Sequence, residues 1–136
     1  MIKGINHIGI AVTNLEEAVE TFRKIFQFKD VHKETVTDQK IEVASFSVGD
    51  VLIELTFPTS PDSPIAKFIE KNGGKGGLHH IAFTSSNVSE DLNRIASEGI
   101  QLIDKEPRQG AHEMMIAFMH PKSTNGVLTE ICQPKH

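Results

Sequence analysis

The sequence predicts an α+β fold in which two tandem βαβββ modules build one curved, barrel-like mixed sheet with helices on its outside, and three observations carry that prediction. First, the chain repeats itself. Gly4-Ile5-Asn6-His7-Ile8 onward to Val19 overlays Gly77-Leu78-His79-His80-Ile81 onward to Leu92 at an offset of 73 residues, with five identities in sixteen positions. Average residue usage gives about one by chance. Second, Val51-Leu52-Ile53-Glu54-Leu55-Thr56-Phe57-Pro58 overlays Val127-Leu128-Thr129-Glu130-Ile131-Cys132-Gln133-Pro134 with four identities in eight positions at an offset of 76. The second half therefore carries three extra residues, which belong in a connecting loop, where insertions are tolerated. Third, the hydrophobic period changes from two to 3.6 and back in the same order in both halves.

The elements follow in order. Alternation over Ile5–Val12 predicts the first strand, and Asn14 with Glu17 three residues on forms an N-cap for a helix whose apolar stripe is Leu15, Ala18, Val19, Phe22, Ile25 and Phe26. Weak alternation near 31–34 is followed by strands over Lys40–Val48 and Val51–Phe57, joined at the hairpin signal Gly49-Asp50. Ser63-Pro64 opens a connector helix carrying Ile65, Phe68 and Ile69, and Asn72-Gly73-Gly74 closes it. The second module repeats the plan. It has a strand at His80–Thr84, a cap at Asn87 and Glu90, and a stripe of Val88, Leu92, Ile95 and Ala96 stopped by Gly99. A weak stretch near 101–103 precedes strands at Met114–Phe118 and Val127–Cys132. Together these make one domain over residues 1–136, with module one at about 4–60, the linker helix at about 63–73 and module two at about 77–136.

Composition narrows the function. The 136 residues are 38% hydrophobic and 24% charged, enough to bury a core. A net charge of −4 offers no basic field for nucleic acid or an anionic membrane. A single cysteine, Cys132, excludes an internal disulfide and a cysteine zinc cage and points to a reducing compartment, the cytoplasm. The first residues enter a strand pattern without a targeting signature, and no apolar run approaches a membrane span.

Strand alternation then decides where the repeated His and Glu point. Ile8, Ile10 and Val12 lie opposite His7; Ile81 and Phe83 opposite His80; Val51, Ile53 and Leu55 opposite Glu54; Val127 and Ile131 opposite Glu130. The aliphatic faces belong against the helices, which leaves His7, Glu54, His80 and Glu130 on the other face, where two-fold pseudosymmetry can gather them. Two imidazoles and two carboxylates suit one divalent cation such as Co, Ni, Mn or Zn, and their charges balance it. Glu42 shares its strand face with Ala44 and Phe46; directed at such a centre without ligating it, it is placed to act as a general base. His79 should point away from His80 as a structural residue, while His32, His112 and His136 read as loop or terminal residues. His120 with Lys122 reads as a surface turn, Arg108, Lys75 and Lys122 are cations able to meet phosphate, and Cys132 reads as packing.

This double βαβββ plan with a His and a Glu in each half resembles the vicinal oxygen chelate superfamily over essentially the whole chain. Within it, Gly77-Leu78-His79-His80-Ile81-Ala82, Phe118-Met119-His120-Pro121-Lys122-Ser123, Gly126-Val127-Leu128-Thr129-Glu130 and the connector Asp62-Ser63-Pro64-Ile65-Ala66-Lys67-Phe68 look most like methylmalonyl-CoA epimerases. The resemblance implies one divalent ion at His7, Glu54, His80 and Glu130. It also implies an acyl-CoA thioester substrate whose (2R) and (2S) forms are interconverted, a homodimer, and Glu42 and Glu130 as the two acid/base groups. Glu54 departs from the glutamine that some epimerases carry. Three other readings are weighed beside it. A glyoxalase I-like lyase would use a similar quartet, a ring-cleaving dioxygenase would need only two His and one carboxylate, and a metal-free binding protein of the same fold would need no quartet at all.

Overall fold

A computed structural model describes residues 1–135, and His136 lies outside the described residues. The chain divides into two compact units: a central unit, Ile8–His79, and a split unit made of Met1–His7 with the chain from His80 onward. The first strand, β1 (Ile2–Ala11), contributes to both.

In the central unit the end of β1 leads into α1 (Leu15–Phe26), then β2 (His32–Val36), β3 (Ile41–Val48), β4 (Val51–Pro58) and α2 (Pro64–Lys71). The expected cap is present, with the Asn14 side chain accepting the Glu17 N–H at 3.0 Å. β2 pairs antiparallel with β3 and β3 antiparallel with β4. Thr56 ties β4 to β1: its Oγ1 donates to the Ile10 carbonyl at 3.1 Å and its carbonyl accepts the Val12 N–H at 2.9 Å. Val12, Val19, Ala44, Phe46 and Leu55 form the core between sheet and α1, with the Phe28 ring stacked on Phe46 at 4.0 Å. This is the aliphatic face that alternation assigned to the helices. Where β1 ends, the chain returns past it at Gly76, and a Cβ there would sit 2.2 Å from the Ala11 carbonyl oxygen, so only glycine fits.

The split unit holds the start of β1, β5 (Gly77–Ser85) from His80 on, α3 (Val88–Ser97), β6 (Arg108–Gln109), β7 (Met114–Met119) and β8 (Thr129–Pro134). β5 pairs parallel with β8, while β8 with β7 and β7 with β6 are antiparallel, so the sheet is mixed as expected. The Ser86 N–H donates to the Met1 carbonyl at 2.9 Å. One face, Ala117, Met119 and Ile131, packs on Val88 and Leu92 of α3; the other carries Ala82, Ile116, Phe118 and Cys132. Asn87 caps α3 through the Glu90 N–H at 3.1 Å, and Gly99 follows it at φ 85°.

Two expectations are corrected. The stretch 101–103 is no strand: only Leu102 bridges to Met119, and the short β6 lies further on at Arg108–Gln109. The cause is Asp104, whose Oδ2 accepts the Phe118 N–H at 2.9 Å and so takes a donor that a backbone ladder would need. His32, read as a loop residue, opens β2. No described helix is long and apolar enough to cross a membrane.

Candidate metal centre

Within the split unit, β1 and β5 each present the histidine of the repeated segment, and β8 presents Glu130. The sheet register sets Glu130 between Ala82 of β5 and Phe118 of β7, on the face away from α3. All three are buried: His7 is 5%, His80 6% and Glu130 2% exposed. The two Nε2 atoms stand 3.1 Å apart, with His7 Nε2 3.5 Å from Glu130 Oε2 and His80 Nε2 3.4 Å from Glu130 Oε1. Four donor atoms thus converge on one point from three side chains.

The donor set fits a divalent cation. Bonds of about 2.0–2.2 Å place neighbouring ligand atoms about 3.0–3.5 Å apart, depending on whether the angles are octahedral or tetrahedral. The observed separations lie in that range. Glu130 Oε2 is buried without a hydrogen-bond donor, and such an oxygen is costly unless a positive charge meets it. His7 is oriented by Asn6, whose Oδ1 lies 2.7 Å from Nδ1. An Nδ1–H donated to Asn6 leaves the Nε2 lone pair for the cluster, the outer support that metal-binding histidines commonly have. Sequence alternation hid Asn6, because a residue next to His7 starts on the opposite face of the strand. The His80 ring meets the edge of Phe118 at 5.6 Å and 82°. The sulfur of Cys132 is a further neighbour, within 4.8 Å of donor atoms of both His7 and Glu130. It also reaches the Phe83 carbonyl at 3.6 Å and packs with Ala82, Ile116 and Phe118.

In the central unit, Glu54 is 5% exposed on β4, directly across from Ser45 of β3. Glu42 is not on that face. Register pairs Ser45 with Glu54 and Val43 with Thr56, so Ile41, Val43 and Ser45 share the Glu54 side, while Glu42, Ala44 and Phe46 face α1. Glu42 is exposed and lines a shallow recess with Asn14, Leu15, Glu16, Lys33 and Phe57. The expectation that it serves as the general base is corrected by this one-residue parity. The titratable groups of β2 on the Glu54 side are His32 and Glu34, 3.3 Å apart.

The remaining candidates have structural surroundings. His79 meets Phe68 edge to face at 5.0 Å, and burial pushes its pKa down to about 4, so it is neutral near pH 7. His120 caps the turn Pro121–Ser123 by accepting the Lys122 N–H at 3.1 Å. His112 occupies a left-handed position at φ 56°.

The chain is similar to known proteins over most of its length. The profile described as glyoxalase/bleomycin resistance protein/dioxygenase superfamily matches residues 6–118. The chain is 46% identical to the uncharacterized protein YqjC of Bacillus subtilis, over 96% of this chain and 92% of that one. It is 36% identical to a mitochondrial methylmalonyl-CoA epimerase of Dictyostelium discoideum, over 93% and 76%. Among solved structures, a variant methylmalonyl-CoA epimerase of Streptomyces coelicolor in complex with 2-nitronate-propionyl-CoA superposes with a TM-score of 0.92, at 35% identity over 98% of this chain and 96% of that one.

Proposed function

The chain belongs to the glyoxalase/bleomycin resistance protein/dioxygenase superfamily, and from that premise we propose that it is an isomerase that inverts C2 of methylmalonyl-CoA. The observation that carries the reading is the buried His7–His80–Glu130 cluster with its unpartnered carboxylate oxygen, in a chain similar to epimerases over nearly its whole length. His7, His80 and Glu130 would hold a divalent cation, and the repeat makes Glu54, the counterpart of Glu130, the fourth ligand. Cobalt, zinc, nickel and manganese all suit nitrogen and carboxylate donors. Such a cation supplies Lewis-acid charge that eases loss of a proton beside a thioester carbonyl.

The protein's own groups move the proton. Inversion removes it from one face of C2 and returns one to the other, so two carriers on opposite faces are needed. Glu130 is the first. With Glu42 turned toward α1, Glu54, the buried carboxylate at the repeat position of Glu130, is the second. The apolar neighbours Ala82, Ile116 and Phe118 limit water around Glu130, which protects a carbanionic species from side reactions.

Proton NMR of one C2 epimer of methylmalonyl-CoA in deuterated water tests the proposal. Metal-dependent loss of the C2 proton with appearance of the other epimer is expected. A folded, metallated sample that exchanges no faster than buffer refutes it and leaves a glyoxalase I-like hemithioacetal as the next substrate to assay. Glu42→Gln is expected to exchange as the parent does, whereas Glu130→Gln and Glu54→Gln should each abolish inversion.

A further inference from the structure

Arg108 stands on the same sheet face as the cluster and plays no part in the chemistry above. Register pairs Arg108 of β6 with Ile116 of β7, and Ile116 belongs with Ala82, Phe118 and Cys132 on the side that carries Glu130. Arg108 is held there by Asp104, a double clamp: one carboxylate oxygen accepts the Arg108 Nε–H at 2.9 Å and the other accepts the Phe118 N–H at 2.9 Å. The guanidinium lies over the Phe118 ring at 5.4 Å from its centroid, and that ring in turn meets the His80 ring at 5.6 Å. Guanidinium, phenyl and imidazole thus form a continuous row from solvent to the buried cluster.

Two features mark Arg108 as more than a surface charge. Asp104 takes Nε, which leaves the two terminal nitrogens as further donors, and a guanidinium fork matches the two oxygens of a carboxylate or phosphate. Its side chain is 42% exposed, open enough for a ligand to reach yet fixed by the aromatic face beneath it. What sets Arg108 apart from Arg23, which also pairs its Nε with a carboxylate and lies over a phenyl ring, is its place on the sheet face that carries Glu130.

We propose that Arg108, positioned by Asp104 and Phe118, is a specificity residue that binds an oxyanion of the acyl-CoA substrate. This rests on the reading of the chain as an acyl-CoA isomerase. The oxyanion is either the free carboxylate of the acyl group or a phosphate of the coenzyme, and both present the same paired oxygens to the fork.

Affinities of metal-loaded parent, Arg108→Gln and Arg108→Lys proteins for methylmalonyl-CoA, propionyl-CoA and propionyl-pantetheine, measured by calorimetry, separate the cases. Arg108→Gln should weaken methylmalonyl-CoA about tenfold or more, with Arg108→Lys in between, since a charge-assisted pair is lost or reduced to a point charge. A loss confined to methylmalonyl-CoA assigns the acyl carboxylate. A loss shared by both CoA thioesters but absent for propionyl-pantetheine assigns a phosphate. An equal loss for propionyl-pantetheine, which carries no anion, or no loss for any ligand, overturns the proposal. Cobalt affinity and thermal midpoint should stay at parent values. Absence of C2 exchange in the parent would instead refute the isomerase reading, and the binding series would still report on Arg108.

Discussion

The two compact units carry segments similar in sequence, yet they bury different chemistry. The central unit fills its sheet–helix space with Phe22, Phe28, Phe46 and Leu55 and buries a single carboxylate, Glu54, across from Ser45. The split unit gathers two imidazoles and a carboxylate within 3.5 Å of one another. The asymmetry arises because β1 divides between units: His7 is part of the first repeat in sequence but packs with the second in space. The similar segments share the paired caps Asn14 and Asn87, but His7, His80 and Glu130 all lie in the split unit.

The largest effect that sharpens this contrast concerns metal. His80→Ala should weaken cobalt binding by about a hundredfold or more, and Asn6→Ala by about tenfold through loss of His7 orientation. Glu54→Ala should fall between them in calorimetric titration. A Glu54 loss equal to that of His80 would break the contrast, since the donors would then count equally in both units.

Next comes stability at the return of the chain past β1. Gly76→Ala forces a Cβ onto the Ala11 carbonyl and should cost about 3 kcal/mol in denaturant unfolding. Gly4→Ala, with open space at its Cβ, should change stability by less than about 0.5 kcal/mol. Smaller than the Gly76 effect, Asn14→Ala and Asn87→Ala should each cost about 1 kcal/mol, since each removes one side-chain acceptor from a helix N-terminus. Unequal costs would show that the duplicated caps are no longer equivalent.

The smallest effect is one of pH and belongs to the split unit. Burial opposes ionisation of Asp91, but a hydrogen bond from Ser85 at 2.5 Å, with the amino terminus and Arg94, holds its pKa below the ordinary 3.8. A depressed carboxylate stabilises the fold above its unfolded pKa, and that contribution is lost as pH falls below 3.8 through the folded value. Asp91→Asn should therefore flatten the acid limb of the thermal midpoint against pH below about pH 4 and leave its slope above pH 5 unchanged.

Much of the architecture was legible because the signals are local and duplicated. The caps, the hairpin at Gly49-Asp50 and the alternation that turns His7, His80 and Glu130 away from the helices all follow from residue spacing. What was illegible depends on contacts made at a distance. Parity along β3 was correct, since Glu42 does share a face with Ala44 and Phe46, but only the register with β4 shows that this face looks at α1. Asp104 ended a predicted strand by taking the Phe118 N–H, an event with no trace in periodicity. Asn6 and Arg108 are likewise placed by their partners, an imidazole nitrogen and a phenyl ring, and not by their neighbours in sequence.

The division of β1 also orders events during synthesis. Ile8–His79 is one continuous stretch and is complete before residue 80 has been added, so its strands and helices have their partners early. Residues 1–7, made first, have their own partners only in chain made afterwards, a wait on the order of seconds at ordinary elongation rates. Glu130, the last of the proposed donors, arrives only with β8. The full donor set is thus complete only after β8 has been translated, so closure of the candidate metal centre is a late event.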